Sequence, residues 1–239
     1  QSGGVLNLAT GTTKYCDGAL TNHGAVNWTG GVFYIRNNNG AQRGGVVNLG
    51  LWEMQGDLAL EPYYSNGLEI FSNGGIFRKA SGAGTGRFNV VLDNQFGAME
   101  VQSGTLRFER GGQLDGLFLA GLGAVVEFSG GTASYTALTR LTGAGQYRLT
   151  GGTLAGLLDY LPNLSLVGGS VGLSPSYQTN GTIERLDLDG ATLLGENHVT
   201  GVLNWNSGVA ISSSSSLTVQ SGGVLNLATG TTKYCDGSL

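Results

Sequence analysis

Short runs of alternating apolar and polar residues, separated by glycine pairs, recur along the whole chain. Val26-Asn27-Trp28, Leu58-Ala59-Leu60, Leu106-Arg107-Phe108, Leu186-Asp187-Leu188 and Leu203-Asn204-Trp205 all follow this pattern. A period of two sends one set of side chains to a core and the other to solvent, so these runs predict β-strands of three to six residues. No segment sustains an apolar stripe at i, i+3, i+4 and i+7, which predicts helices that are short or absent.

The glycine pairs mark where the strands begin. Gly3-Gly4 precedes VLNL, Gly30-Gly31 precedes VFYI, Gly44-Gly45 precedes VVNL, and Gly74-Gly75 precedes IFRK. The same punctuation returns at Gly111-Gly112, Gly130-Gly131, Gly151-Gly152, Gly168-Gly169 and Gly222-Gly223. Its spacing of about twenty residues is that of one solenoid coil. Strands this short are not stable as isolated hairpins. Stacked coil on coil, each strand pairs with its equivalents above and below. Glycine supplies the positive φ that corners need. Asn22, Asn37, Asn38, Asn39 and Asn180 suit the same corners and can stack in hydrogen-bonded ladders. The pattern therefore predicts an all-β fold, a parallel β-solenoid with short strands and Gly-rich turns. A pair of β-sandwiches is the competing architecture, and Asn39-Gly40, Asn66-Gly67 and Asn180-Gly181 would be its hairpin turns. The glycine rhythm and the shortness of the strands favour the solenoid.

A longer repeat encloses the shorter one. Residues 1–20 read QSGGVLNLATGTTKYCDGAL and residues 220–239 read QSGGVLNLATGTTKYCDGSL, differing only at Ala19 and Ser238. The chain is thus read as a single solenoid segment (1–239): one period of a tandem array (1–219) plus the start of the next copy (220–239). Such a period predicts roughly ten or eleven coils and a rod about 50 Å long. No signal peptide opens the chain, and Gln1 reads as the interior of a longer sequence.

Composition narrows the partners. Charged residues make up 12% of the chain, about half the usual share. There are 44 glycines but only 3 prolines, which excludes collagen. The formal charge is −4 and the 12 basic residues are scattered singly, so no basic stripe is present for nucleic acid. The weakly polar run at 116–126 is too short and too glycine-broken to span a bilayer. Lysine is confined to Lys14, Lys79 and Lys233, as suits a rigid secreted protein rich in glycine and asparagine.

Several segments carry a family resemblance: LTNHGAVNWTGG (20–31), MEVQSGTLRFERGG (99–112), VVEFSGG (125–131), YRLTGGTLAG (147–156) and VTGVLNWNSG (199–208). With the motif T-N-x-G-x-V-N-W-x-G-G, they resemble the repeats of giant bacterial surface proteins. Autotransporter passengers and filamentous-haemagglutinin-like β-helices are the kin. The resemblance implies a right-handed parallel β-helix serving as an extended cell-surface or secreted stalk. The stretch 157–177, with Pro162 and Pro175, departs from the pattern and predicts a loop or bulge.

Candidate chemistry is sparse. β-Helical hydrolases that resemble galacturonases carry an Asn-Thr-Asp strand, an Asp-Asp pair and a His-Gly; here His23-Gly24 stands alone. Asp187 and Asp189 project to one face of a strand and could do acid–base or metal work, but they are read as solvent-facing positions flanking buried Leu186 and Leu188. His23 and His198 lie far apart in sequence, and GAGTG at 82–86 reads as a turn. Cys16 and Cys235 are one position in successive copies, too distant for a disulfide within the chain. They are read as a small buried core residue, with a bond between neighbouring fibres as the alternative. Trp52, Tyr63 and Tyr64, beside Glu53 and Glu61, are the candidate binding residues because exposed rings stack on sugar faces. Trp28 and Trp205, in matching VNW and LNW strands, are assigned to the core.

The expected function is a non-catalytic structural repeat of an extracellular rod or filament, with no metal or cofactor. Its expected partners are further copies of the same repeat, in tandem or head to tail. An adhesin or carbohydrate-binding module is the alternative, with cell-surface glycan as the ligand.

Overall fold

The computed structural model describes residues 3–228 and 230–239. It is a parallel β-solenoid of about eleven turns, and no helix occurs among the described residues. The chain forms two compact units, Gln1–Glu127 with Leu138–Tyr147 and Phe128–Ala137 with Arg148–Leu239.

In the first unit each coil lays one strand on each of three sheets in turn. The first sheet stacks Val5–Leu8, Ala25–Trp28, Leu51–Gln55, Ile76–Ser81, Ala98–Val101, Gly116–Ala120 and Thr139–Thr142. The second includes Lys14–Cys16, Phe33–Ile35, Ala59–Pro62, Thr85–Phe88 and Thr105–Phe108, and the third Ala19–Asn22, Gly45–Asn48, Ile70–Asn73, Val91–Asn94 and Gly111–Gln113. Pairing is parallel and in register: Val5 lies beside Ala25, Ala25 beside Leu51, and Ile76 beside Leu51 and Ala98. These strands have the predicted length. In the second unit two strands are longer, Thr182–Leu188 and Glu196–Trp205. Each turns a corner without losing its partner, through an irregularity between Ile183 and Arg185.

The stretch expected to be irregular is only partly so. A turn leads from Leu157 past Pro162, and the backbone slips register between Ala155 and Leu157. Strands Leu164–Leu166 and Ser170–Leu173 then resume the stacking. Prolines fall outside both strands, so the ladder donors that proline lacks are not needed there.

Two glycine columns show why glycine punctuates the coils. At Gly24, Gly50 and Gly75 an added Cβ would lie 2.0, 2.1 and 2.2 Å from the carbonyl oxygens of Gly4, Gly24 and Gly50. Consecutive coils approach there too closely for any side chain. In the second unit Gly131, Gly152 and Gly169 form a column with φ of 64°, 69° and 70°, the left-handed conformation that glycine adopts without steric cost. The Asn-Gly pairs lie in turns of the coils: Asn39 and Asn180 themselves take φ of 56°.

Inward positions stack in columns. In the first unit Val26, Trp52, Phe77, Met99, Phe118 and Leu141 follow one another by register. Aromatic contacts run from Trp28 through Phe33, Trp52, Phe71, Phe88 and Phe108 to Phe118, with centroids 5.1–6.2 Å apart. Most of the pairs meet edge to face, as the ring quadrupole favours. On the third sheet of the second unit the column Ala133, Leu154, Val171, Leu193 and Ile211 is aliphatic throughout, while Phe128, Tyr177 and Trp205 are buried elsewhere in that unit.

Candidate ligand-binding surface and the polar groups that hold the coils

The candidate binding residues separate on folding. Trp52 is fully buried, its ring packed edge to face between Phe33 and Phe71. It belongs to the core and presents no face to a sugar. Alternation explains this: Leu51 and Glu53 point outward, so Trp52 between them points inward. Trp28 and Trp205 are buried as expected.

Tyr63 and Tyr64 do lie on the surface, 48% and 38% exposed, and two tyrosines from earlier coils join them. Tyr15 and Tyr34 are register partners on the second sheet and stack at 5.8 Å with an interplanar angle of 21°. The Tyr63 N–H donates to the Ile35 carbonyl at 2.9 Å, which fixes the chain just beyond the Pro62 partner of Ile35. Its ring then meets Tyr15, Tyr34 and Tyr64 edge-on at 6.0, 5.9 and 5.0 Å. The Arg36 guanidinium lies 5.2 Å from the Tyr15 centroid and 4.7 Å from that of Tyr63, within cation–π range. It also pairs with Asp17 at 3.3 Å. The result is a platform of four tyrosines with a cation inside it. The sequence signal for Tyr15 and Tyr34 was their outward place in KYC and FYI; their mutual stacking depends on register.

The other singled-out residues have structural partners. Asp187 and Asp189 share a face as foreseen, beside buried Leu186 and Leu188. Asp187 accepts from Asn204 at 2.6 Å and from the Tyr160 hydroxyl at 3.0 Å, and Asp189 accepts from Asn206 at 2.6 Å. The two cysteines are free. Cys16 is buried beneath Gly45 of the next coil, and burial raises its thiol pKa. Cys235 is exposed, contrary to its reading as a core residue. Cys16 owes its cover to the following coil, and Cys235 lies in the last coil described.

The expectation of stacked corner asparagines holds at Asn22, whereas its partners Asn48, Asn73 and Asn94 and the burial of these polar groups were not expected. Asn22, Asn48, Asn73 and Asn94 form a buried ladder, each side-chain amide donating to the next at 2.8, 2.8 and 2.9 Å. Their Nδ2 groups also donate to the carbonyls of Leu51, Ile76, Ala98 and Gly97. In this way buried corner carbonyls find partners. The spacing Asn-x-Gly in 22–24, 48–50 and 73–75 was a readable signal for it.

All three lysines donate to backbone carbonyls, and only Lys79 does so from the interior. Lys79 is fully buried. Its ammonium donates to Asp57 at 2.9 Å and to the carbonyls of Ser81, Gly82 and Ser103 at 2.8, 2.9 and 3.2 Å. Gly86 makes the room, since a Cβ there would fall 3.1 Å from Lys79 Cε. Of the GAGTG sequence read as a turn only residues 82–84 bend, around the Lys79 ammonium, and Thr85 and Gly86 already belong to the strand Thr85–Phe88. Its hydrogen bond to Lys79 holds the Asp57 carboxyl below the usual aspartate range, against the opposing effect of burial. Lys14 and Lys233 donate in the same way to carbonyls of Thr12 and Gly30, and of Thr231 and Asn206. On outward faces Arg78 bridges Glu53 and Glu100, and Arg87 bridges Glu61 and Glu109.

No family model, curated protein or solved structure matches the chain.

Proposed function

We propose that the chain is one period of a non-catalytic structural protein, a tandem array forming an extended extracellular rod or filament. The observation that carries this reading is where the polar chemistry goes. The asparagine ladder, the three lysines and the Arg–Glu rows are all spent on linking one coil to the next. A surface built that way serves continuity. Electron microscopy and fibre diffraction of the native material test it. Uniform thin filaments with a reflection near 4.8 Å along the axis are expected; compact separate particles would refute the rod.

The tyrosine platform supports a second reading, an adhesin that stacks cell-surface glycan on Tyr15, Tyr34, Tyr63 and Tyr64. Exposed aromatic faces beside a guanidinium suit the apolar face and hydroxyls of a sugar ring. Saturable glycan binding by the 239-residue chain, lost in Tyr63→Ala, is the expected result. Binding unchanged by that substitution removes the platform from consideration.

A further inference from the structure

The twenty-residue sequence that occurs twice is seen with a different neighbour each time. At its first occurrence Val5–Leu8 pairs with Ala25–Trp28, and Lys14–Cys16 with Phe33–Ile35. At its second, Val224–Leu227 pairs with the end of Glu196–Trp205, and Lys233–Cys235 with Gly208–Ile211. One sequence thus has a coil on one side in one place and on the other side in the other.

The two pairings draw on different backbone groups. At the first occurrence the carbonyls of Gly4, Leu8, Cys16 and Asp17 accept from Ala25, Thr29, Arg36 and Arg43, and the Lys14 N–H donates to Val32. At the second, the N–H groups of Ala228, Asp236 and Ser238 donate to Trp205, Ile211 and Ser215, and the Ser238 carbonyl accepts from Leu217. Shifted into common numbering, none of these groups is claimed twice.

The side chains divide in the same way. Asn7 uses its Oδ1 to accept from Asn27 at 3.0 Å, whereas its equivalent Asn226 uses Nδ2 to donate to Asn204 at 2.8 Å. A single amide can do both at once. Lys14 reaches the carbonyl of Gly30 on one side, Lys233 that of Asn206 on the other, and each holds the carbonyl of its own coil's Thr12 or Thr231. The ammonium also holds carbonyls of its own coil, Thr10 at the first occurrence and Ala228 at the second, so at the joining coil it lies between acceptors of both neighbouring coils. An apolar hollow beside Val5–Leu8, lined in part by Leu6, Leu8, Cys16, Leu20 and Phe33, lies at the edge of the first occurrence. At the second occurrence Leu225, Leu227 and Cys235, the counterparts of Leu6, Leu8 and Cys16, pair with Leu203, Trp205 and Ile211.

We propose that this twenty-residue sequence is a joining coil, and that the hollow at 1–20 docks the coil equivalent to 196–217 of another copy. Successive copies then share one coil, their cores and asparagine rows running on without a hinge. The inference rests on the tandem-array reading and names the surface through which it operates.

The test is a chain in which residues 1–239 are followed directly by residues 21–239, with the native cysteines changed to alanine. Asn206→Cys in the first copy and Thr29→Cys in the second carry nitroxide spin labels. Both side chains are exposed and flank the joining coil, two strand spacings or about 10 Å apart. Strong dipolar broadening of the frozen continuous-wave spectrum is expected. Absence of broadening in a chain with an unchanged β-sheet circular dichroism spectrum overturns the proposal.

A second readout needs no substitution. In the same two-copy chain the joining lysine is expected to acylate more slowly with an N-hydroxysuccinimide ester than the lysines of the two outer occurrences. Equal rates overturn the proposal. Hinged copies within a native filament would refute the joining coil and leave the rod standing. Compact native particles would refute the rod, whatever the spin labels show.

Discussion

The two compact units solve one packing problem with different chemistry. In the first, the interior is a run of aromatic rings beside a ladder of buried asparagines. In the second, one column of the third sheet is aliphatic throughout, Phe128, Tyr177 and Trp205 are the large buried rings, and one asparagine serves a corner alone. Asn197 donates to the carbonyls of Leu194, Gly195 and Ser216. A ladder of amides fixes register, because a slip by one residue would leave each amide and its carbonyl unpaired in the core. Aliphatic columns exclude water equally well but tolerate exchange among similar shapes. Coil-to-coil specificity in the first unit therefore comes from directional bonds, and in the second more from corner glycines and bent strands.

Tryptophan fluorescence separates the units, since Trp28 and Trp52 lie in the first and Trp205 in the second. The largest expected effect is that of Lys79→Met. It removes a buried ammonium from Asp57 and three carbonyls, at a cost of about 3–5 kcal/mol. Urea unfolding followed at Trp28 and Trp52 should show it; a loss below about 1 kcal/mol would contradict the staple role.

Asn73→Ala is expected to cost about 2–3 kcal/mol, because it also strands the amide of Asn48 and the carbonyl of Ala98. Asn197→Ala, with no amide above or below it in a ladder, should cost about 1–2 kcal/mol and be read at Trp205. Equal losses would erase the distinction between the units.

Acid should act on the first unit through Asp57. Its folded pKa is lowered by the hydrogen bond from Lys79. The stabilisation is therefore complete above the ordinary aspartate pKa and lost as pH falls through the depressed folded value. Asp57 is 38% exposed, so the effect should be modest. Acid titration of wild type and Asp57→Asn measures it: the variant should lose part of the pH dependence in that window.

The smallest expected effect is that of Trp52→Phe. The Trp52 Nε1–H is buried without a hydrogen-bond partner, whereas those of Trp28 and Trp205 donate to Gly31 and Gly208. The lost ring volume and the relieved donor nearly offset, giving a change within about 1 kcal/mol. Trp28→Phe, which strands the carbonyls it serves, should cost more in the same urea assay.

Much of this was legible in the sequence. Alternation placed Trp28, Leu106, Leu188 and Trp205 inside, and the glycine pairs marked the coil corners, because a two-residue period and a steric prohibition are local properties. The binding candidates were legible only in part. Tyr63 and Tyr64 are neighbours in the chain, but Tyr15 and Tyr34 reach them only through register between coils of unequal length. Trp52 was misplaced by giving its nearness to Glu53 more weight than its parity. Lys79 shows the same lesson from the other side: in Ile76-Phe77-Arg78-Lys79 parity points it inward, and composition argues that it cannot be there.

The sequence by itself determined the parallel coiled architecture, the strand length of the first unit, the absence of helix among the described residues and the recurrence of one coil after a full period. These follow from periodicity, glycine stereochemistry and internal identity, none of which requires knowing what lies beside what. Only the tertiary structure decided which polar residues are buried, that the lysines are staples, and that four tyrosines form one platform. Those outcomes depend on the offset between successive coils, and that offset is set by the whole stack.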